Sequence, residues 1–392
     1  MKFAHLADCH IGGWREQKLK DLSIQSFEKA IEHCIKEYVG FIIIAGDLFD
    51  TALPQIDLLK ETTRILKKVK EHDIPVYIIP GSHDFSTSGK TMLDVLEQAG
   101  LLENVMKLKD PQTLEFTIDR TGTKLTGILG RKQGLEVKDY EELNRAPLEK
   151  EEGFKIFLFH SLLNELKPKD LDMVEGTALS LLPKNFNYYA GGHPHFIYSE
   201  HHEGYGRIAY PGPTFPNNFK ELEQLKHGGF WILETSNNQI TPRHIPLPIK
   251  ETKTIYIDAN NKTPEEIEEE IQNIQDIEDK ILTIRIEGTL RLGKPTDIKF
   301  REAFTKLNNA YCILKNTHKL QTKRNEAEQE RKNIHLIEEE IIQEACKNIT
   351  IQKEIIKNLL EALYKEKLEG EKSIDFEKRI LKEAELVLGR TL

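Results

Sequence analysis

Two aspartates and four histidines in this chain have the types and local settings to share metal ions: Asp8 and His10 in Asp8-Cys9-His10, Asp47 in Gly46-Asp47, His160, and both imidazoles of Gly192-His193-Pro194-His195. Carboxylate and imidazole suit hard or borderline divalent cations such as Mn²⁺. Two such ions about 3.5–4 Å apart can clamp the attacking and leaving oxygens of a phosphate ester. A centre of that kind needs a bridging carboxylate and a few ligands on either side, which these six residues supply. Gly46, Gly81 and Gly192 stand beside them, as expected of turns whose backbone passes close to a metal or takes positive φ.

The surrounding pattern says how such residues could meet. Strand-like Lys2–Ala7, Phe41–Ala45 and Pro75–Ile79 alternate with helical stretches near Asp21–Tyr38, Gln55–Glu71 and Lys90–Gln98. Each strand ends in a polar turn: Asp8-Cys9-His10, Gly46-Asp47, and Gly81-Ser82-His83-Asp84. Ligands of open α/β sheets lie at the carboxyl ends of the strands, so all three turns are predicted on one edge. Hairpin-like strands Thr113–Ile118 and Lys124–Leu129 then open a second sheet packed on the first. Lys155–Phe159 runs into His160, Tyr188–Ala190 runs into the His193/His195 turn, and Arg207–Tyr210 and Gly229–Leu233 continue the β pattern.

At Pro246-Leu247-Pro248 the alternating prolines read as an extended linker. Beyond it a small βαβ-like unit is predicted from strands Thr254–Ile257, Ile281–Ile286 and Tyr311–Leu314 and helices Thr263–Ile277 and Thr296–Leu307. The first of these helices starts on a Thr263 cap with Pro264 and Glu266. From about Asn325 the sequence is helical and charged. It carries three narrow apolar stripes: Ile334, Ile337, Ile341 and Ala345; Ile351, Ile355, Leu359 and Leu363; Phe376, Ile380, Ala384 and Val387.

The 392 residues exceed one comfortable core, and 39% hydrophobic with 30% charged residues describes a globular chain rather than a disordered one. The longest apolar run is a single strand, far short of a bilayer span. Met1-Lys2-Phe3 leads directly to Asp8, so no cleavable signal and a cytoplasmic location are expected. Cys9, Cys34, Cys312 and Cys346 show no metal-ribbon or disulfide spacing and read as reduced. The net charge of −9 disfavours a polyanionic partner when taken as a sum. Residues 285 to 324, however, hold ten Lys or Arg against three acids. That block, in particular Arg285, Arg291, Lys294 and Arg301, is expected to touch a nucleic-acid backbone.

The ordered series Asp-x-His, Gly-Asp-Leu-Phe-Asp, Gly-Ser-His-Asp, a lone histidine after a strand, and Gly-Gly-His-Pro-His resembles the calcineurin-like metallophosphoesterase superfamily. Within it, the small following unit, the basic block and the helical tail resemble the Mre-eleven/SbcD family of DNA double-strand-break repair nucleases, in an archaeal form. The resemblance implies an α/β fold: a two-sheet α/β sandwich core over residues 1–248, a small α+β DNA-binding cap over 249–324, and a helical C-terminal region over 325–392. It implies two Mn²⁺ ions, with Mg²⁺ as an alternative. Asp8, His10 and His195 would hold one, His160 and His193 the other, and Asp47 would bridge. Ser82 stands where the family carries an asparagine ligand; its shorter hydroxyl predicts weaker occupancy of the second ion. His83 matches the family histidine near the scissile phosphate, expected to protonate the leaving oxygen or to stabilise developing charge, with Asp84 expected to orient it. Asp50 replaces a second family histidine, which bears on exonuclease action. The resemblance also implies exonuclease action on duplex ends, endonuclease action on single strands, homodimerisation, and docking of the tail on a Rad-fifty/SbcC-type ABC ATPase. ATP would be the partner's ligand, because the chain has no G-x-x-x-x-G-K-[ST] loop.

Two other functions fit parts of the pattern. A phosphomonoesterase or protein phosphatase on the same fold would carry an arginine soon after the Gly-Asp turn, where this chain has Leu48-Phe49-Asp50-Thr51-Ala52. A weakly active scaffold that tethers DNA and regulates the ATPase would suit the departures at Ser82 and Asp50. Cys9, Trp14 and Phe85 lie beside the motifs but read first as packing residues.

Overall fold

Strands apolar on both faces must be covered twice, and that requirement builds the main body. In a computed structural model that describes residues 1–86, 90–171, 176–236, 239–323, 353–365 and 373–388, the chain forms two compact units, Met1–Gln321 and Thr322–Leu392. In the first unit β1 (Lys2–Leu6), β2 (Phe41–Ala45), β3 (Val76–Ile79) and β4 (Glu103–Asn104) run parallel, and β13 (Gly228–Ser236) and β14 (Gln239–Leu247) extend the sheet antiparallel beyond β1. Ala4, Leu6, Ile42, Ile44 and Ile78 face helices α1 (Gln17–Lys36), α2 (Ile56–Glu71) and α3 (Met92–Gln98). Phe3, Phe41, Ile43 and Ile79 face the other way, into a second sheet.

That second sheet takes the order β11 (Ile197–His202), β12 (Gly206–Pro211), β10 (Tyr188–Gly192), β9 (Lys155–His160), β8 (Lys124–Ile128), β7 (Thr117–Ile118). Leu125, Ile156, Leu158, Tyr188 and Ala190 close the inter-sheet core. Outside, Phe157, Phe159, Tyr189 and Tyr210 lie under Tyr140 of α4 (Val137–Glu142) and Leu148 of α5 (Arg145–Lys150). The result is four layers, helix, sheet, sheet, helix, with three apolar seams. Truncating a fully buried seam residue such as Ile43 to alanine should cost about 2–5 kcal/mol.

The predicted strand Thr113–Ile118 is two pieces. Its first half is β6 (Thr113–Glu115), a hairpin with β5 (Lys107–Asp110), and its second half, β7, joins the second sheet. The expected linker at Pro246 is also strand: Pro246 pairs with Gly229 and Leu247 with Gly228. Proline fits there because β14 is an edge strand, where no neighbour needs its missing N–H.

Residues 252–322 form the small sheet β15 (Thr252–Asp258), β16 (Ile281–Leu290) and β17 (Cys312–Asn316), all parallel, with β18 (Leu320–Thr322) paired to β16. Helix α7 (Pro264–Gln272) begins on the predicted capping box of Thr263 and Glu266, and α8 (Phe300–Ala303) is a single turn. This sheet has its own core around Ile267, Ile271, Ile284 and Ile286. A further cluster joins it to the main body: Leu19 and Leu22 of α1, Leu222 of α6 (Phe219–Leu225), Phe215, Ile281 and Cys312.

In the second unit α9 (Lys353–Leu363) and α10 (Ser373–Leu388) pack together with Ala362 and Ala384 buried and Lys365 paired to Glu383 at 2.9 Å. The predicted stripe from Ile334 to Ala345 lies outside the described residues. No helix among the described residues is long and apolar enough to cross a membrane.

Candidate metal centre

The carboxyl ends of β1, β2, β9 and β10 converge, and there the backbone departs from ordinary strand geometry. Asp8, His10, Asp47, His193 and His195 all take positive φ, from 40° to 96°. Such conformations cost L-residues of the order of 1–3 kcal/mol each and persist only where the surroundings over-determine them. Backbone hydrogen bonds from Asp8 N to Gly46 O (3.1 Å) and from His10 N to Asp47 O (3.0 Å) tie the first two turns together. The His193 N–H donates to both Asp8 oxygens, at 2.9 and 3.1 Å, and ties in the last turn. Gly46 (φ 88°) has no room for a side chain, because a Cβ there would overlap the His160 ring.

Six side chains meet in this space. Nε2 of His10 and Nε2 of His195 face each other at 3.0 Å. Each ring is held from behind by a carboxylate: His10 Nδ1 lies 3.2 Å from Asp50 Oδ1, and His195 Nδ1 lies 2.9 Å from Glu221 Oε1. With the Nδ1 protons donated to those carboxylates, two Nε2 lone pairs point at one another, which is unfavourable until a cation or proton lies between them. Asp8 Oδ1 completes this group at 3.8 Å from His195 Nε2. On the other side His160 Nδ1 donates to the Ala45 carbonyl at 2.8 Å, leaving Nε2 directed inward. That nitrogen is buried and 3.1 Å from Asp47 Oδ2, yet it makes no hydrogen bond. The donor set and this orphaned nitrogen fit a divalent metal.

The carboxylates and imidazoles shift each other's acidities. Burial alone would raise Asp47, but His160, His10 and His83 outweigh it and hold its carboxyl far below the usual range. Burial likewise opposes charge on His160 and His195, but Asp47 raises the first to about 10, while Asp8 and Glu221 raise the second to about 9. His193 goes the other way. Burial of its ring and the neighbouring His160, 5.3 Å away edge-on, push it down to about 3.

The structure groups the predicted ligands as Asp8, His10 and His195 on one side and Asp8, Asp47 and His160 on the other. His193 reaches the second side through its ring contact with His160, and Ser82 Oγ lies 3.5 Å from Asp47 Oδ2. His83 is two-fifths exposed at the mouth, its ring 4.7 Å from that of His10. Asp84 does not orient it. The Asp84 carboxylate turns inward, accepts the N–H groups of Leu48, Phe49 and Gly81 at 3.0–3.1 Å, and is pushed up to about 7 by burial and by Asp47. His83 Nδ1 instead donates to the Asp50 carbonyl at 2.8 Å.

The sequence alone does not mark Glu221 as a residue of the site. Its one signal was the spacing Asn218-x-x-Glu221, a helix start in which Asn218 Oδ1 accepts from Glu221 N at 3.0 Å. Asp50, read only as a departure from the family, proves to be the partner of both His10 and His83. Of the basic residues, Arg291, Lys294 and Arg301 are exposed. Arg285 is already committed: its guanidinium grips Glu223, with Nε 2.9 Å from Oε1, and lies 5.2 Å from the Phe219 ring centre. Trp14 donates to Pro216 O at 2.8 Å, Phe85 lies under Arg131, and Cys9 is fully buried.

A two-sheet α/β sandwich with this strand-end cluster of aspartates and histidines is the frame of a phosphoesterase. Residues 1–196, half of the chain, match the family model described as calcineurin-like phosphoesterase, and the chain belongs to that family. It is similar to three archaeal proteins named DNA double-strand break repair protein Mre11. That of Archaeoglobus fulgidus is 28% identical over 57% of this chain and 52% of its own length, so the match spans about half of that relative. That of Methanococcus maripaludis is 28% identical over 70% of this chain and 74% of its own, and that of Sulfolobus acidocaldarius 27% over 81% and 82%.

Proposed function

We propose that the chain is a DNA double-strand-break repair nuclease that hydrolyses phosphodiester bonds with two divalent ions, Mn²⁺ or alternatively Mg²⁺. The observation that carries this reading is the pair of ligand groups sharing Asp8, with Asp47 Oδ2 3.1 Å from His160 Nε2 in one and 3.6 Å from His10 Nε2 in the other, and His83 at the solvent side. Asp8, His10 and His195 would hold one ion, His160, His193 and the Ser82 hydroxyl the other, and Asp47 both. Such ions neutralise phosphate charge and make water a nucleophile near neutral pH. Asp50 and Glu221 keep the His10 and His195 rings aimed inward. His83 keeps its Nδ1 proton on the Asp50 carbonyl and turns Nε2 to the solvent side; in the imidazolium form, which carries a proton on both nitrogens, it can pass the Nε2 proton to the leaving oxygen and revert to the neutral ring. The similarity to archaeal proteins named for DNA double-strand break repair supports DNA as the substrate, and the resemblance of the motif series implies cutting from duplex ends and within single strands.

The domain division at 248 and 324 belongs to the same proposal. Exposed Arg291, Lys294 and Arg301 support a cap that contacts DNA phosphates. Leu381 and Leu386, exposed on α10, support docking of the tail on an ABC ATPase of the Rad-fifty/SbcC type. Homodimerisation and action at the nucleoid complete it.

The test uses purified chain with end-labelled duplex and single-stranded DNA in Mn²⁺, with and without the ATPase. Product should form and should vanish with Asp47→Asn. Product that persists undiminished in that variant would sink the proposal, and phosphate released from a monoester but none from DNA would point to the phosphomonoesterase.

A further inference from the structure

Helix α6 is only seven residues long, yet it touches both the metal centre and the small β15–β18 sheet. Toward the centre, Glu221 places Oε1 2.9 Å from His195 Nδ1 and accepts from Asn217 N through Oε2 at 2.7 Å. Asn217 Nδ2 in turn lies 3.5 Å from Asp50 Oδ1, the oxygen that backs His10. Both imidazoles of the facing pair therefore lean on residues 217–221. Toward the small sheet, Glu223 is gripped by Arg285 of β16, with Nε 2.9 and 3.1 Å from its two oxygens. Side-chain exposures of 22% for Arg285 and 13% for Glu223 place this pair away from free solvent, where bidentate guanidinium–carboxylate contacts hold geometry well. Among the described residues the second side of the centre has no such link: His160 is anchored on the Ala45 carbonyl of β2.

We propose that α6 couples the small domain to one side of the metal centre: Arg285, through Glu223, fixes the helix that positions Glu221 behind His195 and Asn217 beside Asp50. Displacing the small domain loosens the His10/His195 side and leaves the His160 side unchanged. Binding linkage is reciprocal, so a metal ion on the His10/His195 side must also hold the small domain in place. Glu221, Glu223 and Arg285 are positioning residues. The inference rests on the metal-centre reading above.

The probe is Mn²⁺ titrated into the full chain and followed by calorimetry and by the spin resonance of free Mn²⁺. Glu221→Gln should weaken one of the two binding steps about 10–100-fold. Arg285→Gln and Glu223→Gln, which break the same pair from opposite ends, should each weaken that same step about 5-fold or more. The charge-swapped pair Glu223→Arg/Arg285→Glu should recover most of the loss. In hydrogen exchange, amides of residues 219–225 and 281–290 should slow on adding Mn²⁺ in the wild type and not in Arg285→Gln. If Arg285→Gln and Glu223→Gln give the wild-type isotherm while Glu221→Gln weakens it, the coupling is overturned and the metal centre stands. If Glu221→Gln and His195→Ala also leave the isotherm unchanged, the metal assignment falls, and the coupling with it.

Discussion

The two sides of the strand-end centre are built from similar ligands by different means. His10 and His195 are backed by carboxylates, Asp50 and Glu221, the second delivered by a helix 26 residues further along the chain. His160 is backed by a backbone carbonyl of the adjoining sheet, Ala45 O, at 2.8 Å. A carboxylate behind an imidazole fixes its tautomer and makes it a stronger donor than a carbonyl does. The first side should therefore bind its ion more tightly and depend on distant packing. The second should bind more weakly, but its position is set by the sheets alone.

The largest test of this division concerns the residue that serves neither side as a ligand. His83→Ala should lower turnover about 10²–10⁴-fold, the range for loss of a general acid, while leaving both steps of a Mn²⁺ titration in place. Weaker binding in that variant would show that His83 belongs to the ligand set and would erase the distinction. Next comes pH. In the metal-free protein His195 is held up to about 9 by Asp8 and Glu221, and His160 up to about 10 by Asp47, in each case against the effect of burial. If two ions bind as proposed, each would displace such a proton, so apparent affinity should rise with pH, by up to about tenfold per unit per proton released. His193, pushed down to about 3, has none to give near neutrality. Calorimetry in buffers of different ionisation enthalpy counts the protons, and release of none at pH 7 would contradict the picture. Smaller again is the effect of Ser82→Asn, which puts a carboxamide where the Ser82 hydroxyl lies 3.5 Å from Asp47 Oδ2 on the His160 side. It should strengthen the second binding step on the order of tenfold and leave the first untouched; a gain at the first step instead would reverse the assignment of sides.

The sheet-anchored side is also the one that the sequence shows best. Short apolar runs ending in Asp47, His160 and His193 leave little freedom, because a parallel strand at the centre of a sheet must present its last residue at the carboxyl edge. What the sequence hides is the direction of a side chain when packing elsewhere decides it. Asp84 follows His83 directly and so invites pairing with it, yet the turn sends its carboxylate onto three backbone N–H groups. Arg285 counts as one more cation in a basic block until its partner Glu223, 62 residues away, is placed beside it. Glu221 shows as a helix start and no more, because α6 meets His195 only after Leu222 has packed among Leu19, Leu22 and Ile281. Pro246 marks an edge strand as readily as a linker, and only its pairing with Gly229 separates the two.

A last effect, on stability rather than on metal binding, concerns a histidine held by a tyrosine hydroxyl in place of a carboxylate. His5 lies on β1 in the same sheet, fully buried, its Nδ1 2.8 Å from the Tyr188 hydroxyl, and burial pushes it down to about 3. In the unfolded chain it would titrate near its ordinary value of about 6.5. Between those two values the unfolded chain binds a proton that the folded one refuses. Stability is therefore fully present above about pH 6.5 and falls on acidification, by about 1.4 kcal/mol per pH unit at most. The raised His160 has the opposite sign: its contribution is complete below about 6.5 and fades as pH climbs toward about 10. Urea unfolding in a chelator at several pH values between about 4.5 and 7, for the wild type and His5→Gln, isolates the first term, since other groups contribute equally to both. The variant should lose less stability than the wild type as pH falls. Equal slopes would mean that His5 takes up its proton without unfolding, and that burial between the sheets is not what separates this histidine from those of the metal centre.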